Sequence, residues 1–335
     1  MKALTYAVLL LAMVAFGFGV YRAATLLKSD YGAHVVKPDS TTAPALPGTM
    51  YVAQDGALYR MKNGQFSQIT DSAGWTEPAA SPDGSQLVAV RRTGNFSDVY
   101  LLTSSGRVLR QLTHHSAKAV EANHWSFFPR FSSDGTQVFY SYDDKVPGTY
   151  EVDLAIFAMS LDDGSVVQWT TPNPYTGGDV EPLPLKSGGL IYTKYSIDNQ
   201  SQVHGQVWFQ SGPGADGVAL TQPDDNCGAP ALSPDETFIA MVCRHDQLQS
   251  ADVVVASLAA DGTVGTPATL VHGQLAAAPV FSPDGKTLAF LAPVENGGTF
   301  QLWTVPVDAS KSTSQAHALT SNVGLDSTAA PVWIR

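Results

Sequence analysis

Cysteine is almost absent from this 335-residue chain, with only Cys227 and Cys243 present. No Cys-x-x-Cys pair exists, which excludes a thioredoxin-like redox centre or a zinc ribbon. Basic charge is also scarce: 19 Lys and Arg stand against 30 Asp and Glu. Three of those bases (Lys2, Arg22, Lys28) and one acid (Asp30) fall in the first 30 positions, leaving 16 bases against 29 acids, a net −13, for the rest. A body so acidic has no electrostatic footprint for a phosphate backbone, so nucleic acid is not an expected partner. Catalytic signatures are missing too. There is no Gly-x-Ser-x-Gly, no phosphate-cradling Gly-rich loop with Lys, no Gly-x-Gly-x-x-Gly after a strand and no His-Glu-x-x-His. No cofactor is expected. With 44% hydrophobic and only 15% charged residues the chain is nonetheless globular.

One long apolar run is present. Ala3 to Tyr21 spans 19 residues between Lys2 and Arg22, which as a helix would reach roughly 28 Å, close to the thickness of a bilayer core. Residues 1–28 are read as an uncleaved signal anchor forming one transmembrane helix, with a cleaved secretory signal as the alternative. No Cys follows the run, which excludes a bacterial lipid anchor. Basic residues flank both ends, so charge does not decide the orientation. Residues 29–47, rich in Pro, Ser, Thr and Ala, read as a flexible linker.

From residue 48 to 335 the chain repeats itself. The segments EPAASPDGSQLVAV (Glu77–Val90), FPRFSSDGTQVFYS (Phe128–Ser141), EPLPLKSGGLIYTK (Glu181–Lys194), APALSPDETFIAMV (Ala229–Val242) and APVFSPDGKTLAFL (Ala278–Leu291) share one pattern, and APVWIR (Ala330–Arg335) begins a sixth. Their prolines, Pro78, Pro129, Pro182, Pro230, Pro279 and Pro331, are spaced 51, 53, 48, 49 and 52 residues apart. Each unit predicts a short strand, a Ser-Pro-Asp-Gly turn and an alternating second strand. A third strand carries Tyr59, Tyr100, Phe157, Trp208, Val254 or Trp303. A fourth ends at Thr70, Thr113, Thr170, Thr221 or Thr320, with Val271 in the odd unit. Four strands in about 50 residues is one propeller blade. The first unit, from Gly48 to Thr70, lacks the proline strand, and the C-terminus supplies only that strand. Ala330–Ile334 is therefore expected beside Met50–Ala53, closing an all-β, six-bladed propeller and removing its open edges.

The repeat P-x-x-S-P-D-G, its second hairpin and the closing Leu-Thr resemble those of the TolB-like propeller family. The unit at Pro182 departs from the pattern, with Leu185-Lys186-Ser187-Gly188-Gly189 in place of the turn motif. The resemblance implies an extracytoplasmic propeller that commonly binds other proteins at the mouth of its central channel. Such repeats also occur beside peptidase domains and in metal-dependent lyases, so fold alone does not assign function.

Pairing Ser233 with Thr237 across the hairpin of their unit places Cys227 opposite Cys243, within disulfide reach. A bond there points outside the cytoplasm; two buried thiols are the alternative. Two candidate sites follow. His114, His115 and His124 share one long inter-blade loop and could hold a divalent metal for lyase or hydrolase chemistry. Adjacent histidines in an extended chain point apart, however, so surface histidines are the plainer reading. Asp162-Asp163-Gly164 and Asp224-Asp225-Asn226 lack calcium-loop spacing and read as turns. The second candidate gathers residues that precede the proline strands: Trp75, Glu77, His124, Trp125, Asp179, Glu181, Asp225 and Asp326. Acids and aromatics from separate blades would meet at one channel mouth, suited to a basic peptide segment of an envelope or membrane protein. The expected function is a membrane-tethered, extracytoplasmic, non-catalytic protein-interaction module, periplasmic or extracellular, and secreted if the N-terminal segment is cleaved. An acidic surface that merely confers solubility is the alternative for those acids.

Overall fold

A computed structural model describes residues 46–145, 153–244, 250–295, 297–307 and 316–335. The apolar run Ala3–Tyr21 and the linker up to residue 45 lie outside the described residues. Among those described, no helix is long and apolar enough to cross a membrane.

Six four-stranded antiparallel sheets form the blades of a propeller. Five are contiguous in sequence, with inner strands Trp75–Ala80, Ser126–Phe131, Asp179–Pro184, Cys227–Leu232 and Ala277–Phe281. The sixth is mixed. Its inner strand Val332–Ile334 lies antiparallel to Thr49–Gln54, with Thr49 opposite Ile334, Met50 opposite Trp333 and Tyr51 opposite Val332. Ala57–Lys62 and Gln65–Gln68 complete that blade. The C-terminal strand thus closes the ring as the repeat pattern requires.

The second strand of each blade is buried on both faces rather than alternating. Leu87, Val88, Ala89 and Val90 are all fully buried, and so are Ile239, Ala240 and Met241. The reason is that each blade is sandwiched between two neighbours, so a central strand has no solvent side. Phe281, Leu288 and Phe290 of one blade, for example, pack on Ala240, Val253 and Val255 of the blade before it.

The repeat motifs have defined roles. In the Ser-Pro-Asp-Gly turn, Ser81 Oγ donates to Asp83 Oδ1 at 2.6 Å and accepts from the Gln86 N–H at 3.0 Å. Ser233 and Ser282 do the same with Asp235 and Asp284. Where the motif is missing, the Lys186 N–H and ammonium are instead met by Glu236 and by the Pro234 carbonyl of the next blade. The closing threonine bonds the third strand: Thr70, Thr113, Thr170, Thr221 and Thr320 accept from the N–H of Leu58, Val99, Ile156, Val207 and Leu302 at 2.9–3.0 Å. In the odd unit Val271 pairs directly with Val253, and the register slips there by a bulge.

Cys227 and Cys243 are disulfide-bonded and face one another across the first two strands of their blade. The turn register differs from expectation, since the Ser233 N–H bonds to the Phe238 carbonyl and not to Thr237. A bulge between Gly228 and Ala231 shifts the pairing by one residue and restores the cysteines to opposite positions.

Candidate functional site

That bulge recurs. Every inner strand of the five contiguous blades slips register around its proline. The residue before the proline takes a left-handed conformation each time: Glu77, Phe128, Glu181, Ala229 and Ala278 have φ between 49° and 58°. A bulge tolerates a proline, which has no N–H for the ladder, and it re-aims the side chain beside it. These strands line an axial cavity of about 970 Å³ to which all six blades contribute.

Glu77 and Glu181 both line this cavity, and each reaches the next blade. The Glu77 carboxylate accepts from the Phe128 N–H. Glu181 Oε2 accepts from the Ala229 N–H and from Thr193 Oγ1, both at 2.7 Å. Burial pushes the Glu77 carboxyl up to about 8, against the opposing pull of the Phe128 N–H and Arg130, so it is protonated at neutral pH. Glu181 is raised by the same cause. Arg130, on the strand between them, also lines the cavity, and its desolvation lowers the guanidinium from its ordinary value.

The other expected residues lie in varied settings. Trp75 is buried, with its indole N–H donating to Asp71 Oδ1 at 2.7 Å and Arg91 over its ring at 5.7 Å. Asp179 is fully buried and ion-paired to Lys194 Nζ at 3.0 Å. Both therefore serve the scaffold and offer no surface to a partner. Asp326 is half-buried, takes a hydrogen bond from Thr76 Oγ1 at 2.7 Å and caps its own turn through Thr328. Asp225 is half-buried in a short 3-10 turn, Pro223–Asp225. Trp125 is half-buried and stacks on Phe127 at 5.9 Å, with Arg92 of the preceding blade over both rings at 5.6 and 5.7 Å.

The histidine loop is only partly assembled. His115 and His124 lie 6.0 Å apart by ring centroids and flank Tyr142, while His114 is exposed. His115 Nε2 bonds Ser126 Oγ at 2.7 Å, and His124 Nδ1 bonds the Asp143 carbonyl at 2.7 Å. Burial, aided by His124 and His114, lowers His115 to about 4 and keeps it neutral. Among the described residues no group of three His, Cys, Asp or Glu side chains is arranged to hold a metal ion. Sequence reasoning missed Arg130. The signal was available: the position after each strand proline holds Ala79, Arg130, Leu183, Ala231, Val280 or Val332, a single charge among apolar residues.

No protein-family model and no curated protein matches the chain by sequence. Solved structures do match its fold. TolB from Acinetobacter baumannii is 20% identical with a TM-score of 0.65, over 90% of this chain and 69% of that one. A protein described as putative TolB from Agrobacterium tumefaciens is 14% identical with a TM-score of 0.57, over 84% and 90% of the two chains. A gluconolactonase from Xanthomonas campestris is 13% identical with a TM-score of 0.52, over 86% and 91%. The resemblance of the repeats to TolB-like propellers is thus met at the level of fold. At these identities the fold is what is shared.

Proposed function

We propose that the protein is an extracytoplasmic, non-catalytic protein-interaction module, tethered to the membrane through residues 1–28 by way of the 29–47 linker. The observation that carries this reading is the Trp125–Phe127–Arg92 stack, in which partly buried aromatic rings and a guanidinium from two blades meet at an inter-blade connection. Aromatic and arginine side chains are the usual anchors of protein interfaces. His124, Asp225 and Asp326 stand on other parts of the connections, and the acidic body favours a partner with a basic segment. Glu77 and Glu181 would be reached only by a segment that enters the channel. The TolB-like character of the repeats and the buried disulfide both agree with a site outside the cytoplasm.

Crosslinking from native membranes tests this reading, with the full-length chain compared with a Trp125→Ala/Phe127→Ala double variant. A partner captured by the first and lost by the second supports a module that works through this surface. Capture unchanged by the variant moves the interface elsewhere, and no enrichment of any protein over an inert control counts against the module itself.

A further inference from the structure

Arg130 lies between two strands that each present a glutamate to the channel, yet among the described residues it makes no ion pair. Its one hydrogen bond runs from Nη1 to the Pro129 carbonyl at 3.0 Å. The neighbouring carboxylates are already committed to backbone N–H groups of the following blades. A guanidinium carries five N–H donors, and those of Arg130 that are not spent on Pro129 stay accessible at the wall of the cavity.

The lining of the cavity suggests what fills it. Three arginines, Arg130, Arg244 and Arg335, line it, and no lysine does. The acids of the lining are Glu77, Asp83 and Glu181, and Glu77 stays protonated up to about pH 8. With Glu77 neutral, the charges of the lining are close to balanced at neutral pH, within a body that is strongly negative. The opposite wall is apolar, built by Ala278, Val280, Ala330 and Val332. A volume near 970 Å³ falls in the range of small-molecule sites.

We propose that the channel binds a small organic monocarboxylate, its anionic end held by the free fork of Arg130 and its apolar body laid along the Ala278–Val280 and Ala330–Val332 wall. The planar guanidinium matches a carboxylate in two-point contact. The apolar wall favours a hydrocarbon body, and the remaining carboxylates of the lining disfavour a dianion. This site does not depend on the Trp125–Phe127 surface, so either reading can fail without the other.

Calorimetric titration of the full-length chain in lipid nanodiscs, with empty nanodiscs as reference, tests the site. The probes are hexanoate, its neutral analogue hexanamide, and inorganic phosphate. The expected result is one hexanoate per chain, with hexanamide at least tenfold weaker and phosphate weaker still. Arg130→Met, which removes the guanidinium and keeps the side-chain length, is expected to weaken hexanoate at least tenfold while leaving the unfolding midpoint in place. If that variant fails to fold, the comparison of hexanoate with hexanamide on the unaltered chain decides alone. Absence of hexanoate binding, equal binding of the amide, or tighter binding of phosphate would each overturn the assignment.

Discussion

The carboxylate of Glu77 accepts a hydrogen bond from the backbone N–H of Phe128, the residue that occupies the same bulge one blade further on. Glu181 repeats the arrangement with Ala229 at 2.7 Å. Between blades the described residues form only isolated bridges, such as Leu154 with Gly178 and Ala251 with Leu275, and much of the contact is apolar. A side chain running from bulge to bulge adds a polar tie at the channel wall. It also satisfies an N–H that the bulge withdraws from its own ladder.

Burial of the Glu77 carboxyl gives stability a pH dependence. Glu77 holds its proton up to about pH 8 when folded, against an ordinary value of 4.5. A carboxyl raised in this way stabilises the fold fully below about pH 4.5, and the benefit is lost as pH climbs towards 8. Across that window the loss is on the order of 4 kcal/mol for a shift of this size. Glu77→Gln keeps an acceptor for the Phe128 N–H and cannot ionise, so it is expected to be less sensitive to alkali than the unaltered chain. Glu181, raised for the same reason, retains part of the slope. Urea unfolding at pH 5, 6.5 and 8 checks this, and equal slopes in the two proteins would count against a buried neutral Glu77.

Closure of the ring is expected to rest heavily on Trp333. Its ring is buried in a cluster with Met50, Tyr59 and Leu302, and its indole N–H donates to the Pro47 carbonyl at 2.7 Å. Trp333→Ala should cost about 3–5 kcal/mol through the cavity it leaves. Removal of Leu325–Arg335 should abolish a single cooperative transition, because the mixed blade then loses its inner strand. A thermal melt that keeps its midpoint and sharpness after that deletion would refute the closure.

Repetition made the fold legible. Six prolines at nearly even spacing and the complementary fragments at either end specify blade number and closure without any contact information. The bulge was less visible, because a strand proline marks it only indirectly and the left-handed φ of Glu77 or Ala278 leaves no compositional trace. The cysteine pairing was reached through a turn register one residue off, and the unseen bulge at Ala229 compensated. Site residues were harder still. Which of Trp75, Glu77, Asp179 and Trp125 reach solvent depends on packing between blades, and a sequence pattern within one blade does not carry that. Arg130 is legible in the sequence as the one charge at the position that follows each strand proline.

Thr113 offers a test of the blade motif. Its hydroxyl accepts from the Val99 N–H and donates to Asp98 Oδ1, both at 2.9 Å and both buried. Thr113→Val keeps the volume and leaves a buried N–H without a partner, at a cost of about 1–3 kcal/mol. Val271→Thr, at the blade where Val253 pairs directly with Val271, should bring no gain of stability. Parallel urea titrations distinguish the two, and a Thr113→Val loss under about 0.5 kcal/mol would mean that the hydroxyl is not what closes the blade.

The disulfide is the last point of purchase. Cys227 and Cys243 are 16 residues apart and both are buried. Closing a loop of that length is worth about 3 kcal/mol in the chain-entropy account. A Cys227→Ser/Cys243→Ser pair should therefore unfold at lower denaturant by about that amount, while the folded blade survives because its cross-strand register is held by the bulge and the Ser233 turn. Burial also shields the bond, so reductant should act on the native protein only as fast as the blade opens. Peptide mapping of freshly isolated protein without reductant should show the two cysteines joined. Free thiols in that material would remove the disulfide from the case for an extracytoplasmic site and leave it resting on the N-terminal apolar run and the TolB-like repeats.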